Sequence, residues 1–385
     1  MNTAFAPLFS YLYRTARQRA IKKVYARQER EGRPHDLEEV VEMGDQKLKK
    51  LPLWTYSFPI PEGIGRYMHD LYFPSPLTVA AFKDDLSIID IWLQLGLGGA
   101  CIKTIMREPR EGNPRPRLQE VNIDGQNCLV NAMGLPGHGV EGKIQELEQA
   151  KIFSHHRPIG FSIGGSSLEE YQRVFDRVNA WMKERENFIF GALKLIAMSA
   201  REQQPTERPT IPSYFEINVS CPNTPEGQQM AQHPRLLDEL VRYMRERTST
   251  MIGVKFSPDT KDQQLLEFAE MLKAHQKTYM NLGNTTSRTC ESVGLPKEAI
   301  SIGGGGLSGP LLFDRTFAMT KLIAPQQIPI IATCGIDSEE KVRTLQIEAE
   351  KYDAPLLVGM ATSVVQDMYC IPRINRQLAK RPKSL

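Results

Sequence analysis

The chain has 385 residues, of which 41% are hydrophobic and 24% are charged, and its formal net charge at pH 7 is +3. This length suits one large α/β domain of about 250–300 residues with an appendage, or two ordinary domains. The charge is too small to indicate a nucleic-acid partner, and without an apolar run of about 18 residues we expect no transmembrane helix. Six scattered cysteines without CxxC spacing predict neither a disulfide framework nor a bound metal, and they favour a cytoplasmic protein.

The first 50 residues predict a helical extension. Apolar residues recur at helical spacing from Phe5 to Val24, and seven Lys or Arg residues stand against one acid between positions 10 and 30. Asp36 followed by Glu39 predicts a capping box that opens a second helix. A basic amphipathic helix suits either peripheral contact with an anionic membrane through residues 5–30 or docking on the rest of the protein with its basic face in solvent. We therefore expect a helical extension at 1–50 and a second domain at 51–385.

Eight short apolar runs follow, with helix-like stretches between most of them. The runs are Pro76–Phe82, Ala100–Ile105, Pro158–Gly164, Tyr214–Val219, Met251–Ser257, Thr278–Asn284, Pro329–Gly335 and Pro355–Met360. The amphipathic stretches are Leu168–Lys183, Arg235–Thr248, Lys261–Gln276 and Ser338–Lys351. This alternation predicts an α/β fold, a (β/α)8 TIM barrel, with long and therefore functional insertions at 107–135 and 287–301.

Polar residues stand where several of these strands are expected to end. In a barrel the C-terminal strand ends line the active site, which would bring together Lys103, Asn218, Lys255 and Asn284. A lysine inside an apolar run needs an anion or an electron-rich ring, although a structural salt bridge is the alternative. Cys221, between two asparagines, is a candidate proton acceptor, although a cysteine beside proline is often only a small buried residue.

The glycine run 303–309, the turn at Gly335 and the turn at Gly359 suggest backbone N–H groups gathered around a phosphate. They precede or follow the last two strands, where barrels usually bind phosphate. A phosphate-bearing cofactor beside a lysine indicates flavin mononucleotide (FMN).

An ordered set of motifs resembles the dihydroorotate dehydrogenase family over roughly residues 73–366. The matching stretches are Gly112–Arg117, Asn131–Pro136, Phe161–Gly164, Asn218–Asn223, Gly253–Phe256, Asn284–Thr286, Gly305–Gly309 and Pro329–Ile331. Cys221 is typical of the family's soluble branch. The Asn284–Thr286 motif, the Leu307–Gly309 motif and the helical extension are closer to its quinone-using branch.

The resemblance implies oxidation of dihydroorotate to orotate with FMN as cofactor and Cys221 as the catalytic base. It implies that the substrate is bound by Lys103, Asn131, Asn218, Asn223, Asn284 and Thr285. It implies that the cofactor is bound by Ala80, Ala81, Lys103, Asn218, Lys255, Asn284, Gly305, Gly306, Gly335, Gly359 and Thr362. The electron acceptor is expected to be fumarate or a quinone, and a homodimer is the expected assembly.

Three positions depart from the family pattern: Gly137 replaces an asparagine, Phe82 follows Ala80-Ala81 where glycine is usual, and Cys334 replaces a glycine. Two alternatives therefore stay open. One is a flavin oxidoreductase that acts on another pyrimidine-like substrate, and the other is a barrel without catalysis that serves in binding.

Overall fold

The computed structural model describes residues 5–200, 205–207, 209–219 and 234–380. The strands in chain order are β1 (Arg66–Met68), β2 (Leu71–Phe73), β3 (Leu77–Val79), β4 (Gly99–Ile105), β5 (Pro109–Arg110), β6 (Leu118–Ile123), β7 (Gln126–Asn131), β8 (Gly137–His138), β9 (Ile159–Ile163), β10 (Ser213–Asn218), β11 (Met251–Phe256), β12 (Thr278–Leu282), β13 (Thr286–Thr289), β14 (Gly304–Ser308), β15 (Ile330–Thr333) and β16 (Leu356–Met360). The helices are α1 (Ala6–Arg30), α2 (Leu37–Leu48), α3 (Leu86–Gln94), α4 (Gly139–Gln149), α5 (Leu168–Ala200), α6 (Pro234–Arg245), α7 (Asp262–Lys273), α8 (Phe313–Ile323), α9 (Glu339–Glu350), α10 (Thr362–Gln366) and α11 (Cys370–Leu378).

Eight parallel strands close into a barrel in chain order, β3-β4-β9-β10-β11-β12-β15-β16, and β16 pairs with β3. These strands are buried along their length because helices cover the outside and side chains fill the inside. The predicted α/β TIM barrel is therefore confirmed. Each of the eight predicted apolar runs overlaps one barrel strand, and β4 and β10 begin one residue before their runs.

The N-terminal end of the barrel is closed by packed side chains. The antiparallel hairpin β1–β2 places Met68 and Phe73 against the interior residues Tyr214, Tyr279 and Leu357. Among the described residues, this packing closes the N-terminal end and leaves the C-terminal end open to a ligand.

A polar layer lies inside the barrel above this plug. Glu216 is fully buried, and its Oε2 accepts hydrogen bonds from Asn281 Nδ2 at 2.7 Å and from the Tyr279 hydroxyl at 3.2 Å. Thr333 Oγ1 donates to Asn281 Oδ1 at 2.7 Å. Because this chain of bonds crosses the barrel from β10 to β15, it gives the site above it a rigid floor.

Strands β6 and β7 of the first predicted insertion join one antiparallel sheet of order β13-β14-β7-β6. Strand β13 lies at the start of the second predicted insertion, and β14 follows its end at residue 301. In the register of this sheet, Gly306 lies opposite Asn131, and Asn131 lies opposite Leu118. Strands that follow the second and the sixth barrel strands thereby share hydrogen bonds at the open end of the barrel.

The N-terminal segment forms two packed helices. Asp36 caps α2 by accepting a hydrogen bond from Glu38 N at 3.0 Å, as the capping motif predicts. The capping box also predicts a bond from the Glu39 side chain to the Asp36 backbone N–H, and this prediction is wrong. The Glu39 side chain instead accepts a hydrogen bond from Gln28 Nε2 at 2.7 Å. Phe9 of α1 stacks on Tyr369 at 5.3 Å between ring centroids, which docks the helix on the barrel. The division into domains at residue 50 stays a prediction.

Helix α5 is longer than the sequence pattern predicts. The predicted helix at Leu168–Lys183 is too short, since α5 continues to Ala200. Within the described part of the chain, every helix is too short or too polar to cross a membrane.

Candidate active site

A cavity of about 1400 Å³ opens at the C-terminal end of the barrel. The predicted site residues that line it are Ala80, Ala81, Lys103, Asn131, Asn218, Lys255, Asn284, Thr285, Gly335, Gly359 and Thr362. These residues come from seven barrel strands or the loops that follow them, together with the insertion sheet. The chain folding therefore gathers at one place most of the polar groups that the sequence suggests.

Two lysines contribute the buried charge of the cavity. Lys103 of β4 is 9% exposed and Lys255 of β11 is 4% exposed. Burial lowers the pKa of Lys103 to about 8, and nearby Arg117 and Lys143 act in the same direction, while Asp84 opposes them. An anion bound beside Lys103 would favour its charged form.

Asn218 stands at the end of β10, next to Lys255 in the register of the two strands. Its Nδ2 donates to Thr104 Oγ1 at 2.8 Å, and Thr104 Oγ1 lies 3.0 Å from Ser162 Oγ. Its Oδ1 is buried and has no hydrogen-bond partner among the described residues. Such an acceptor at a cavity wall is suited to an N–H group of a bound heterocycle.

The insertion sheet and the loop that precedes β13 also line the cavity. Asn131 Nδ2 donates to the Gly306 carbonyl at 3.3 Å. The Thr285 carbonyl accepts from Ser257 Oγ at 3.3 Å, and the Asn284 carbonyl accepts from Cys334 Sγ. Backbone and side-chain bonds therefore fix the amide-bearing loop after β12.

The glycines predicted to bind the cofactor fall into two groups. Gly335 and Gly359 line the cavity beside Thr362, whose Oγ1 lies 2.8 Å from Ser308 Oγ. Gly305 and Gly306 lie in β14 and are absent from the cavity lining. A Cβ atom at Gly305 would meet the Asn131 carbonyl oxygen at 2.4 Å, and one at Gly306 would meet Thr285 Oγ1 at 1.9 Å. Close packing within the sheet is therefore sufficient to require glycine at both positions.

Cys334 occupies the turn where the family has glycine. Its φ of 89° is a backbone conformation that favours glycine. Burial raises the pKa of its thiol to about 12. A thiol so difficult to ionise is not a general base, so Cys334 does not compete with Cys221 for that role.

Two further departures from the family pattern also line the cavity. The Phe82 ring packs on Trp92 at 5.6 Å between centroids, so it belongs partly to the core. Gly137 pairs with Arg110 in a short two-stranded ladder. The nearest atom to a Cβ built on Gly137 is Asp84 Oδ2 at 4.0 Å, so this position has room for a side chain.

The same cavity extends between the barrel and the helices α1 and α2. This part is largely apolar, and the lining residues include Phe9, Leu12, Tyr13, Ala16, Ala20, Val40, Val41, Met43, Leu48 and Leu51. Two ion pairs of lining residues join α2 to the rest of the protein here, Lys83–Asp45 and Arg117–Glu38. Arg117 Nε donates to Glu38 Oε2 at 2.8 Å, and Arg117 Nη2 donates to Glu38 Oε1 at 2.9 Å.

Cys221 and Asn223 lie outside the described residues, so their positions in the site stay predictions. Sequence reasoning missed Thr104 and Glu38, and nothing in the spacing of these two residues distinguishes them from structural polar residues. Ser162 and Arg117 are parts of the quoted family motifs, and this signal could have identified both.

The residues present fit a flavin cofactor. A buried amide oxygen without a partner among the described residues, two buried lysines and the glycine turn at Gly335 supply an acceptor, positive charge and backbone groups. The turn predicted at Gly359 is wrong, because this residue lies within β16. The fold and this cavity together define a TIM-barrel oxidoreductase of the flavin-binding class.

Comparisons with known proteins identify the family. The model of the dihydroorotate dehydrogenase family matches residues 66–186 and 204–381, so the chain belongs to that family. Its enzymes are FMN-dependent oxidoreductases that act on CH–CH bonds. The predicted family and cofactor are thereby confirmed.

Several curated relatives carry the name dihydroorotate dehydrogenase (quinone). The protein of a Cyanothece species is 28% identical over 352 residues, which cover 84% of this chain and 86% of the relative. The protein of Thermus thermophilus is 29% identical and covers 75% of this chain and 79% of its own length. The crystal structure of dihydroorotate dehydrogenase from Eimeria tenella in complex with ferulenol is similar in fold, with a TM-score of 0.68 at 18% identity over 89% of this chain and 90% of that one.

Proposed function

We propose that this protein oxidises dihydroorotate to orotate and passes the electrons to a quinone. The observation that supports this most directly is the single cavity that joins the polar end of the barrel to the apolar space under α1 and α2. Its volume of about 1400 Å³ exceeds the roughly 300–1000 Å³ of a typical small-molecule pocket. A cavity of this size has room for more than one ligand.

Each of the proposed site residues has a separate role in this reaction. Asn218, Asn284 and Thr285 hold the pyrimidine ring, and the Lys103 ammonium binds its carboxylate. Cys221 removes the proton from C5 of the substrate as a general base. FMN, when bound, supplies the acceptor for the hydride from C6. Lys255 stabilises the negative charge that develops beside it, as a preorganised cation in a buried site.

The quinone, rather than fumarate, is supported by the composition of the cavity near the helices. Its lining there is largely apolar, which suits a lipophilic acceptor better than a dicarboxylate. Helix α1 is rich in Lys and Arg, and it exposes Leu8, Tyr11 and Leu12, as well as the preceding Phe5. We propose that this surface makes peripheral contact with a membrane from which the quinone enters.

The test separates the two half-reactions. Anaerobic dihydroorotate should bleach the flavin absorbance, and a short-chain quinone should restore it in stopped-flow mixing much faster than fumarate or NAD does. Cys221→Ala should keep its flavin yet lose bleaching by about 10²–10⁴-fold in rate, and Cys221→Ser should retain partial activity at higher pH. Bleaching at the normal rate in Cys221→Ala would remove the cysteine from the mechanism. A full flavin complement without any response to dihydroorotate would favour another pyrimidine-like substrate.

A further inference from the structure

A fully buried carboxylate inside the barrel has no role in the reaction described above. Glu216 of β10 is 0% exposed. Its Oε2 accepts hydrogen bonds from Asn281 and Tyr279, whereas its Oε1 is buried and has no hydrogen-bond partner among the described residues. Burying a carboxylate whose oxygens are only partly satisfied is unfavourable unless an opposite charge lies nearby. We therefore expect a cation close to Glu216.

The strand register identifies this cation. The eight barrel strands contain three charged residues, which are Lys103, Glu216 and Lys255. Lys103 is on β4, which is separated from β10 by β9, whereas Lys255 is on β11, which pairs directly with β10. Asn218 stands opposite Lys255, and Glu216 stands opposite Gly253. From a strand spacing of about 4.8 Å and a rise of about 3.3 Å per residue, the Cα atoms of Glu216 and Lys255 are roughly 8 Å apart.

Both side chains project into the barrel interior. Side chains two residues apart on a strand share a face, so Glu216 lies on the side of Asn218, and Lys255 lies on the side of Gly253. Asn218 and Lys255 line the cavity, but Glu216 does not. A Cβ atom at Gly253 would meet the Tyr279 ring at 2.0 Å, so this ring fills the space that a side chain there would take. Glu216 therefore lies one layer below the cavity, under the strand ends that carry Asn218 and Lys255.

The groups around Glu216 do not neutralise its charge. Burial and the charge of Glu216 raise the pKa of the Cys101 thiol well above its ordinary value, while Lys255 opposes this rise. Burial and Glu216 also raise the pKa of Tyr279 well above its ordinary value. The thiol and the phenol therefore stay neutral. Because Cys101 responds to both charges, Glu216 and Lys255 act on the same small region of the interior.

We propose that Glu216 sets the reduction potential of bound FMN by opposing the charge of Lys255. This inference rests on the proposed placement of Lys255 beside the flavin. The Lys255 ammonium favours negative charge on the cofactor and thus its reduced state. A fixed carboxylate one layer below weakens that preference, because charges in a buried site are poorly screened. The flavin then passes its electrons more readily to the acceptor.

The reduction potential of the FMN-loaded full chain tests the proposal. It is measured by anaerobic reduction with xanthine and xanthine oxidase beside a reference dye. Glu216→Gln keeps the shape of the side chain and removes its charge, so the potential should rise. Two unit charges about 10 Å apart, at an effective dielectric constant of about 20, change an equilibrium constant by about tenfold. For a two-electron couple this is about 30 mV. Lys255→Gln should lower the potential by a similar amount.

Three further variants separate charge from packing. Glu216→Asp keeps the charge but shortens the side chain, so the potential should stay near that of the wild type. Glu216→Met removes the charge without adding an amide, and it should raise the potential if Glu216→Gln does not retain its flavin. Glu348 of α9 is 5% exposed and does not line the cavity. Glu348→Gln therefore removes a similarly buried carboxylate and should leave the potential unchanged.

An unchanged or lower potential in Glu216→Gln, beside a lower potential in Lys255→Gln, would overturn the inference. An equal rise in Glu216→Asp and Glu216→Gln would overturn it as well, because packing would then explain the shift. Unchanged potentials in both Glu216→Gln and Lys255→Gln would refute the placement of Lys255 beside the flavin and the inference with it. The measurement uses neither dihydroorotate nor a quinone. Shifts of opposite sign in these two variants would therefore support the inference even if the protein acts on another substrate.

Discussion

Lys103 shows how burial sets the working range of a single residue. Burial lowers its pKa to about 8, so its ammonium group is charged below that pH and neutral above it. If Lys103 binds the carboxylate of orotate, the affinity for orotate is highest below pH 8 and declines above it. We expect the dissociation constant of orotate, measured by perturbation of the flavin spectrum, to rise about tenfold per pH unit above pH 8.

Lys103→Arg is the sharpest comparison for this prediction. Arginine keeps its charge throughout the range, so the decline above pH 8 should disappear even if affinity at pH 7 is lower. Lys83→Gln is the matched control, because Lys83 also lines the cavity but forms an ion pair with Asp45. This variant should retain the pH dependence of the wild type. An unchanged profile in Lys103→Arg would show that another group titrates.

Gly137 leads to a second prediction at this scale. Its backbone φ is not positive, and a side chain built there has open space toward Asp84, so asparagine fits without strain. A restored amide donor to a charged ligand contributes about 1.5–3 kcal/mol, or roughly 10–150-fold in affinity. Gly137→Asn should therefore tighten orotate binding with little change in flavin content.

Gly137→Ala makes the same backbone change without the amide and should leave orotate affinity unchanged. Equal tightening in both variants would trace the effect to chain stiffening. No gain in Gly137→Asn would place the substrate away from residue 137.

Single residues also show the limits of sequence reasoning about the site. Lys103, Asn218 and Lys255 could be selected because strand ends in a barrel point to one place, and this rule needs only the positions of the strands. The packing reason for glycine at Gly305 and Gly306 could not be predicted in the same way. Their requirement for glycine arises from close contacts across the insertion sheet, and these contacts depend on the register between two insertions that are far apart in sequence.

At the scale of elements, the ion pair between Glu38 and Arg117 holds α2 on the insertion sheet. Both side chains are nearly buried, at 13% and 12% exposure. Removing one partner of a buried pair leaves the other charge desolvated, which typically costs about 3–5 kcal/mol. We expect Glu38→Ala to loosen the helices α1 and α2, and trypsin should cleave faster after Arg30, as mass spectrometry of the fragments would show.

Glu141 and Arg177 offer a matched control on the outside of the barrel. Their bonds have the same bidentate form, at 2.8 and 3.0 Å, but the side chains are 64% and 36% exposed. Glu141→Ala should cost less than about 1 kcal/mol and leave trypsin cleavage unchanged. Equal effects of the two substitutions would mean that burial does not strengthen the Glu38 pair.

The elements of the barrel were predictable because each is a short apolar run separated by an amphipathic stretch. Helix α5 was predicted to end at Lys183, since the apolar period that packs on the barrel ends there. Beyond residue 186 the sequence becomes apolar on several sides of the helix, and no period marks where it ends. The pairing of β14 with β7 could not be foreseen either, because it joins segments about 175 residues apart.

At the scale of the whole molecule, the cavity connects the barrel to the N-terminal helices, and this leads to a blocking experiment. Ala20 of α1 lines the cavity, and Ala26 of the same helix is exposed outside it. Ala20→Trp should fill the passage, so turnover with quinone should fall by about tenfold or more. Anaerobic bleaching of the flavin by dihydroorotate should stay near normal, because the barrel end is untouched.

Ala26→Trp adds the same bulk where no cavity lies and should leave both reactions unchanged. If Ala20→Trp slows bleaching and quinone turnover equally, the substitution disturbs the fold rather than the passage. If it slows neither, the acceptor reaches the flavin by another route.

The insertion sheet connects the two ends of the cavity. Glu38 holds Arg117 at the start of β6, β6 pairs with β7, and Asn131 at the end of β7 stands opposite Gly306. A ligand bound between the barrel and the helices α1 and α2, and a ligand bound beside Asn131, would therefore both contact the same hydrogen-bonded sheet. Coupling between two binding sites is reciprocal. If an acceptor analogue changes the affinity for orotate by some factor, orotate changes the affinity for that analogue by the same factor. Binding at the orotate site and binding at the acceptor site would then be coupled through the sheet backbone, even without electron transfer.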